Sequence, residues 1–217
     1  TMGGAVWTKG WMTVVLALAI GVVFLVTRTG RADEEAGRTE LLRSRVLGVH
    51  AYSMAAWLVT GALCVVIGVL LAVVSIGGSL DPAGTGITGS LILGASVAGI
   101  GLVGLGVGAV AGQVSTTSRG ANSLGAGVII AAYVFRMIGD MGNGVLSWFS
   151  PIGWGQQMQP YGGNRWWPLL LLLGLTAVLL VAASQLEARR DIGAGLLPQR
   201  PGRAGAPARY GTPFGLA

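Results

Sequence analysis

Charge is what this chain has least of. Only 10% of its 217 residues are Asp, Glu, Lys or Arg, against about 25% in a soluble domain, and 53% are hydrophobic. The shortage is concentrated: residues 10–27, 51–80, 82–118 and 166–186 carry no charge at all. Each run approaches or exceeds the roughly 20 residues that cross about 30 Å of hydrocarbon. A shorter run, 120–135, ends at Arg136. A membrane β-barrel would need alternation over about 10 residues per strand. Leu169 to Leu173 is an unbroken leucine run, so helices are expected and a barrel is excluded.

Other absences narrow the function. Cys64 is the single cysteine and His50 the single histidine, which leaves no disulfide framework and no metal-ligand spacing. We expect Cys64 to pack as a small apolar residue and His50 to be an interfacial polar residue. No Gly-x-x-x-x-Gly-Lys-Ser/Thr loop occurs, so ATP is not expected to bind here. No Ser/His/Asp or metal constellation is present, so the chain is read as neither an enzyme nor a cofactor holder. The net charge of +6 does not point to nucleic acid, because the arginines cluster beside spans, where topology accounts for them.

What remains is an all-α, polytopic membrane bundle of about five transmembrane helices, at about 11–27, 51–76, 87–110, 123–138 and 166–186. Residues 1–190 form the membrane domain, and 191–217 a Pro/Gly/Arg-rich linker. Residues 28–50 hold five arginines, 77–86 none, 115–122 one, 142–165 one, and the tail five. That pattern puts 28–50, 115–122 and the tail in the cytoplasm and 77–86 and 142–165 outside. The first span then starts outside, so we expect another span before it in a longer polypeptide.

Four segments carry candidate function. Residues 28–45 are polar, helix-compatible and nearly charge-balanced, and hold four of the eight acidic residues: Asp33, Glu34, Glu35 and Glu40. Such a segment is either a solvated loop or a docking element. Gly104, Gly108 and Gly112 repeat every four residues within a glycine-rich span, a stripe that lets helix backbones approach closely. Arg136 and Asp140, four apart, share a helix face and can pair. They are read as a structural staple, a polar lining of the exit path, or a proton-coupling pair. Residues 142–165 and the two tryptophans after them contain Trp148, Trp154, Tyr161, Trp166 and Trp167. We expect short interfacial helices there, broken at Pro151 and Pro160.

Three stretches also carry a resemblance. They are Glu34-Glu-Ala-Gly-Arg-Thr-Glu-Leu-Leu-Arg-Ser44, Ser150-Pro-Ile-Gly-Trp-Gly-Gln-Gln157 with Pro160-Tyr-Gly-Gly-Asn-Arg-Trp-Trp-Pro-Leu-Leu170, and Ala188-Arg-Arg-Asp-Ile-Gly-Ala-Gly-Leu-Leu197. They resemble ABC-2 type exporter permeases of the actinobacterial polyketide-antibiotic and multidrug exporter family. The resemblance covers most of the first half of such a permease, lacking its first span and the second half. It implies a permease subunit in the bacterial plasma membrane that exports hydrophobic small molecules. ATP and magnesium would be bound by a separate ATPase subunit, with a second permease half and membrane lipid as further partners. It places Glu34, Glu35, Arg38, Glu40 and Leu41 in the element that docks on the ATPase. The alternatives are an ion-coupled transporter using Arg136 and Asp140, and a membrane assembly subunit with no transport path.

Overall fold

The computed structural model describes residues 10–35, 50–77, 87–142 and 144–189, and all regular structure among them is helical. Helix α1 is Trp11–Thr27, prolonged through a wide π turn at Arg28–Ala32 into Asp33–Glu35. Then come α2 (Ala51–Gly77), α3 (Ile87–Val114) and α4 (Ser118–Met141). A 3-10 turn at Leu146–Phe149 and the short α5 (Pro151–Gln157) lead to α6 (Trp167–Arg189). The five longer helices are apolar enough, over enough length, to cross a membrane.

Three helices exceed the expected spans by several residues. α3 runs on to Val114 because Gly112 and Gln113 are compatible with a helix although they end the apolar run. α4 starts at Ser118 because Thr117 caps it, its hydroxyl accepting from the Gly120 amide at 3.1 Å, which satisfies a first-turn donor. Its far end reaches Met141, so Arg136 and Asp140 lie within it. α6 runs to Arg189. The short helices are separated just before Pro151, which starts α5 at its first turn, where a missing amide costs nothing, and α5 ends before Pro160.

α3 is the hub. In its most apolar stretch 78% of residues are buried, against 33% or less in the other four. Hydrocarbon gives no hydrophobic drive for helices to associate, so packing relies on close contact and hydrogen bonds. The glycines of α3 provide that contact on three faces. A Cβ on Gly94 would overlap the carbonyl of Gly68 and sit 2.9 Å from Ala72 on α2. One on Gly101 would sit 3.1 Å from Cys64 on α2 and Leu18 on α1. Gly104 and Gly108 lie under the α1 backbone at Ala19 and Val23. Gly99 and, two turns on, Gly106 receive Leu172 and Leu179 of α6.

These contacts fix directions. α1 and α6 run parallel to α3, and α2 runs antiparallel to it. The α1–α3 register holds from end to end. The indole of Trp11 donates to Ser96 Oγ at 2.8 Å, and Arg31 donates to the Thr116 carbonyl; both pairs are 85 positions apart. From Trp11 to Arg31 is about 30 Å at 1.5 Å per residue, which matches the hydrocarbon thickness. The bundle therefore has a tryptophan end and an arginine end.

Of the expected glycine stripe, Gly104 and Gly108 are in contact, whereas a Cβ on Gly112 would meet nothing within 4 Å. Gly94→Ala should therefore force α2 off α3 and destabilise the protein by about 1–3 kcal/mol, the range for overpacking. Gly112→Ala should leave stability unchanged or slightly higher. Thermal unfolding of the two variants in the same detergent, followed by tryptophan fluorescence, checks the difference.

Candidate functional site

Candidate chemistry sits at the two ends and along one groove. At the tryptophan end, the chain after α4 folds back onto it. Gly139 and Gly153 leave so little room that a Cβ on either would overlap the backbone of Ser147. Ser147 is thereby wedged in place, and its hydroxyl donates to the Arg136 carbonyl at 3.2 Å and to Asp140 Oδ1 at 3.0 Å. Arg136 pairs with Asp140 at 2.6 Å and donates through Nε to Gln156 Oε1 of α5 at 2.7 Å. Ser150 Oγ donates to the Ala132 carbonyl at 2.7 Å. Arg136 and Asp140 thus belong to a network joining α4, the 3-10 turn and α5. Ser147, Ser150 and Gln156 are not legible as partners in the sequence, since their bonds to α4 exist only once the chain folds back onto it.

The aromatic residues divide by role. Trp148 stacks on Trp167, rings 5.6 Å apart and 15° from parallel, and Trp154 Nε1 donates to the Trp148 carbonyl at 2.7 Å. Trp148, Trp167, Trp166 and Phe149 are all exposed. Tyr161 lies on Gly89, where no Cβ would fit, and its hydroxyl meets Ser90 Oγ at 3.1 Å. Gln159, Tyr161 and Asn164 all have left-handed backbones, φ 45°, 62° and 46°. That conformation is costly for residues with side chains. It is held by Gly162 and Asn164 amides on the Gln159 carbonyl at 3.1 Å and by Arg165 N on the Met158 carbonyl at 2.9 Å.

At the arginine end, the expected docking segment is described only as far as Glu35; Arg38, Glu40 and Leu41 lie outside the described residues. The part described is turned onto the protein itself. Glu34 pairs with Arg31 at 2.8 Å. The Glu35 carboxylate accepts from Ser118 N at 2.9 Å and Ser118 Oγ at 2.7 Å, a negative charge at the start of α4, where the helix dipole favours it. Tyr52 donates to Asp33 at 2.7 Å. The buried Glu187 of α6 accepts from Ser53 Oγ at 2.8 Å and meets His50 Nδ1 at 2.9 Å, tying α6 to α2.

Above that tie, α2 and α6 leave an apolar cleft of about 580 Å³ floored by Leu102 and Leu105 of α3. A second cleft of about 340 Å³ shares Val65 and Leu102 with it and reaches Trp166. The groove offers no charged side chain to a ligand. Among the described residues no group of three or more His, Cys, Asp or Glu could hold a metal.

No family model matches the chain. It is similar to the multidrug efflux system permease protein Rv1217c of Mycobacterium tuberculosis (strain ATCC 25618 / H37Rv), with 42% identity over 214 residues, 98% of this chain. The chain spans 37% of that protein's length. The resemblance to exporter permeases thus holds over nearly the whole chain, and the chain is a multi-pass membrane protein.

The network around Arg136 makes a prediction. Asp140→Asn leaves an arginine paired only with an amide near hydrocarbon, and should lower stability by on the order of 1 kcal/mol. Adding Arg136→Gln should recover part of the loss. A melting comparison of the single and double variants in lipid nanodiscs checks this, and a double variant no more stable than Asp140→Asn alone would contradict it.

Proposed function

We propose that this chain is the first membrane half of an ABC-2 type permease that exports hydrophobic small molecules, driven by ATP hydrolysed on a partner subunit. The observation that carries the reading is the 42% identity to a multidrug efflux permease along 98% of the chain. It is supported by a groove with apolar walls, suited to uncharged or amphipathic molecules. The arginine end is then cytoplasmic and carries the ATPase contact through 28–45, to which Arg38, Glu40 and Leu41 would contribute directly, while Glu34 and Glu35, held on Arg31 and Ser118, would anchor the segment to the bundle. The tryptophan end is outside, with its short helices at the interface.

Two exposed stripes support a second permease half as neighbour. Thr13, Ala17 and Gly21 on α1, and Ser123, Gly127 and Ala131 on α4, are exposed small residues at spacing four. A Cβ at Gly21 or Gly127 would meet nothing within 4 Å, so another helix could approach closely there. An ion-coupled mechanism is less well supported, because Arg136 and Asp140 are engaged with each other, Ser147 and Gln156.

Two measurements test the reading. The full-length permease and its ATPase, reconstituted in vesicles, should move ethidium with ATP and no proton gradient, and should fail with a gradient and no ATP. The opposite pattern would overturn the proposal. For sidedness, single cysteines go into a Cys64→Ala background at the exposed Gly162 and Arg119. Gly162→Cys should react with a membrane-impermeant maleimide on intact cells, and Arg119→Cys only after the cells are opened.

A further inference from the structure

We propose that Arg31 is a positioning residue that locks the inner ends of α1 and α4 into one body, so that force applied there by the ATPase reaches α4. The inference rests on the exporter reading above and goes beyond it by naming the joint. Residues four apart on a helix are neighbours on its surface, and Arg31, 2% exposed, continues the buried row Trp11, Val15, Ala19, Val23 and Thr27. It lies in the π turn at Arg28–Ala32, a kind of irregularity frequent at functional sites. Two threonines support the widened turn. Thr27 Oγ1 donates to the Val23 and Phe24 carbonyls at 3.0 and 3.1 Å, and Thr29 Oγ1 to Leu25 and Val26 at 3.0 and 3.3 Å. Side chains thus engage the carbonyls around the point where the ladder is interrupted.

Once inside, the guanidinium forks onto the turn between α3 and α4. Nε and Nη2 both donate to the Thr116 carbonyl, at 2.9 and 2.5 Å, while Nη1 holds Glu34 at 2.8 Å. Glu35 on Ser118, and Thr27 hydrogen-bonded to Asn122, complete the attachment. Every one of these bonds crosses from 27–35 to 116–122 or orients one that does. A buried guanidinium is a poor way to gain stability, because desolvation offsets the attraction. Its rigid planar fork, which lysine lacks, is a good way to fix geometry. Farther along, α4 carries Arg136 and Asp140 and holds the outer short helices. A displacement at Arg31 is thereby passed to the opposite end of the bundle.

The test uses the full-length permease with its ATPase in proteoliposomes, ethidium as the probe, and transport per ATP hydrolysed as the readout. Arg31→Lys keeps the charge and the Glu34 partner but cannot fork. We expect it to assemble with the ATPase and hydrolyse ATP while transport per ATP falls about fivefold or more, the lower edge of ordinary coupling factors. Thr27→Cys with Asn122→Cys, in the Cys64→Ala background, gives a bridge that can be closed by oxidation. Closing it in the Arg31→Lys protein should restore coupling, and reduction should abolish the rescue. A merely structural role for Arg31 would lower assembly and ATP hydrolysis along with transport and leave transport per ATP unchanged. Wild-type coupling in Arg31→Lys, or a closed bridge that blocks transport or fails to rescue it, would overturn the proposal. Wild-type transport that needs no ATP would overturn the exporter reading and this inference with it.

Discussion

Everything in this bundle depends on how closely backbones can approach α3. Lipid tails are as apolar as leucine, so burying leucine between helices gains little over leaving it in lipid. Dispersion between well-fitted surfaces and a few hydrogen bonds must supply the cohesion. α3 meets this constraint by dividing its glycines among neighbours: Gly94 for α2, Gly104 and Gly108 for α1, Gly99 and Gly106 for α6. The neighbour supplies its own glycine, as Gly68 does, its backbone at Ala19 and Val23, or a leucine that fills the space left by a missing side chain.

Polar groups at the two ends then set what packing alone leaves free. Glycine stripes permit a helix to slide by a turn, since the next turn presents a similar surface. The Trp11–Ser96 bond and the Arg31–Thr116 bonds remove that freedom for α1. His50 and Ser53 on Glu187 bring together the arginine ends of α2 and α6. Register is held near the membrane boundaries, and the middle of the bundle is left to shape.

The helices were legible in the sequence because uncharged runs of membrane length leave few alternatives. Their ends were less so: apolar composition stops at residue 110, but hydrogen bonding carries α3 to Val114. The Arg136–Asp140 contact follows from spacing alone. Its links to Ser147 and Gln156 do not, because they require the fold-back permitted by Gly139 and Gly153. Gly112 looked equivalent to Gly104 and Gly108, yet only a neighbour's position distinguishes a contact from open space. Arg31 was legible as a topology signal and illegible as a buried clamp. A charge beside a span reads as a boundary marker, and the carbonyl it holds belongs to Thr116, 85 positions away.

The hub arrangement bears on how the chain is assembled as it is made. Of the helices described, α1 and α2 are made before α3 and contact each other little, because the surfaces they fit belong to α3. Until α3 enters the bilayer the two earlier helices form a loose hairpin, and the most buried helix is third in line among the five. A premature stop after α2 would yield inserted but unpacked helices, a natural substrate for membrane quality control. A stop after α4 would leave a nucleus with all of the α1, α2 and α3 contacts made. Among the helices described, packing thus waits on one glycine-rich segment, Ile87–Val114.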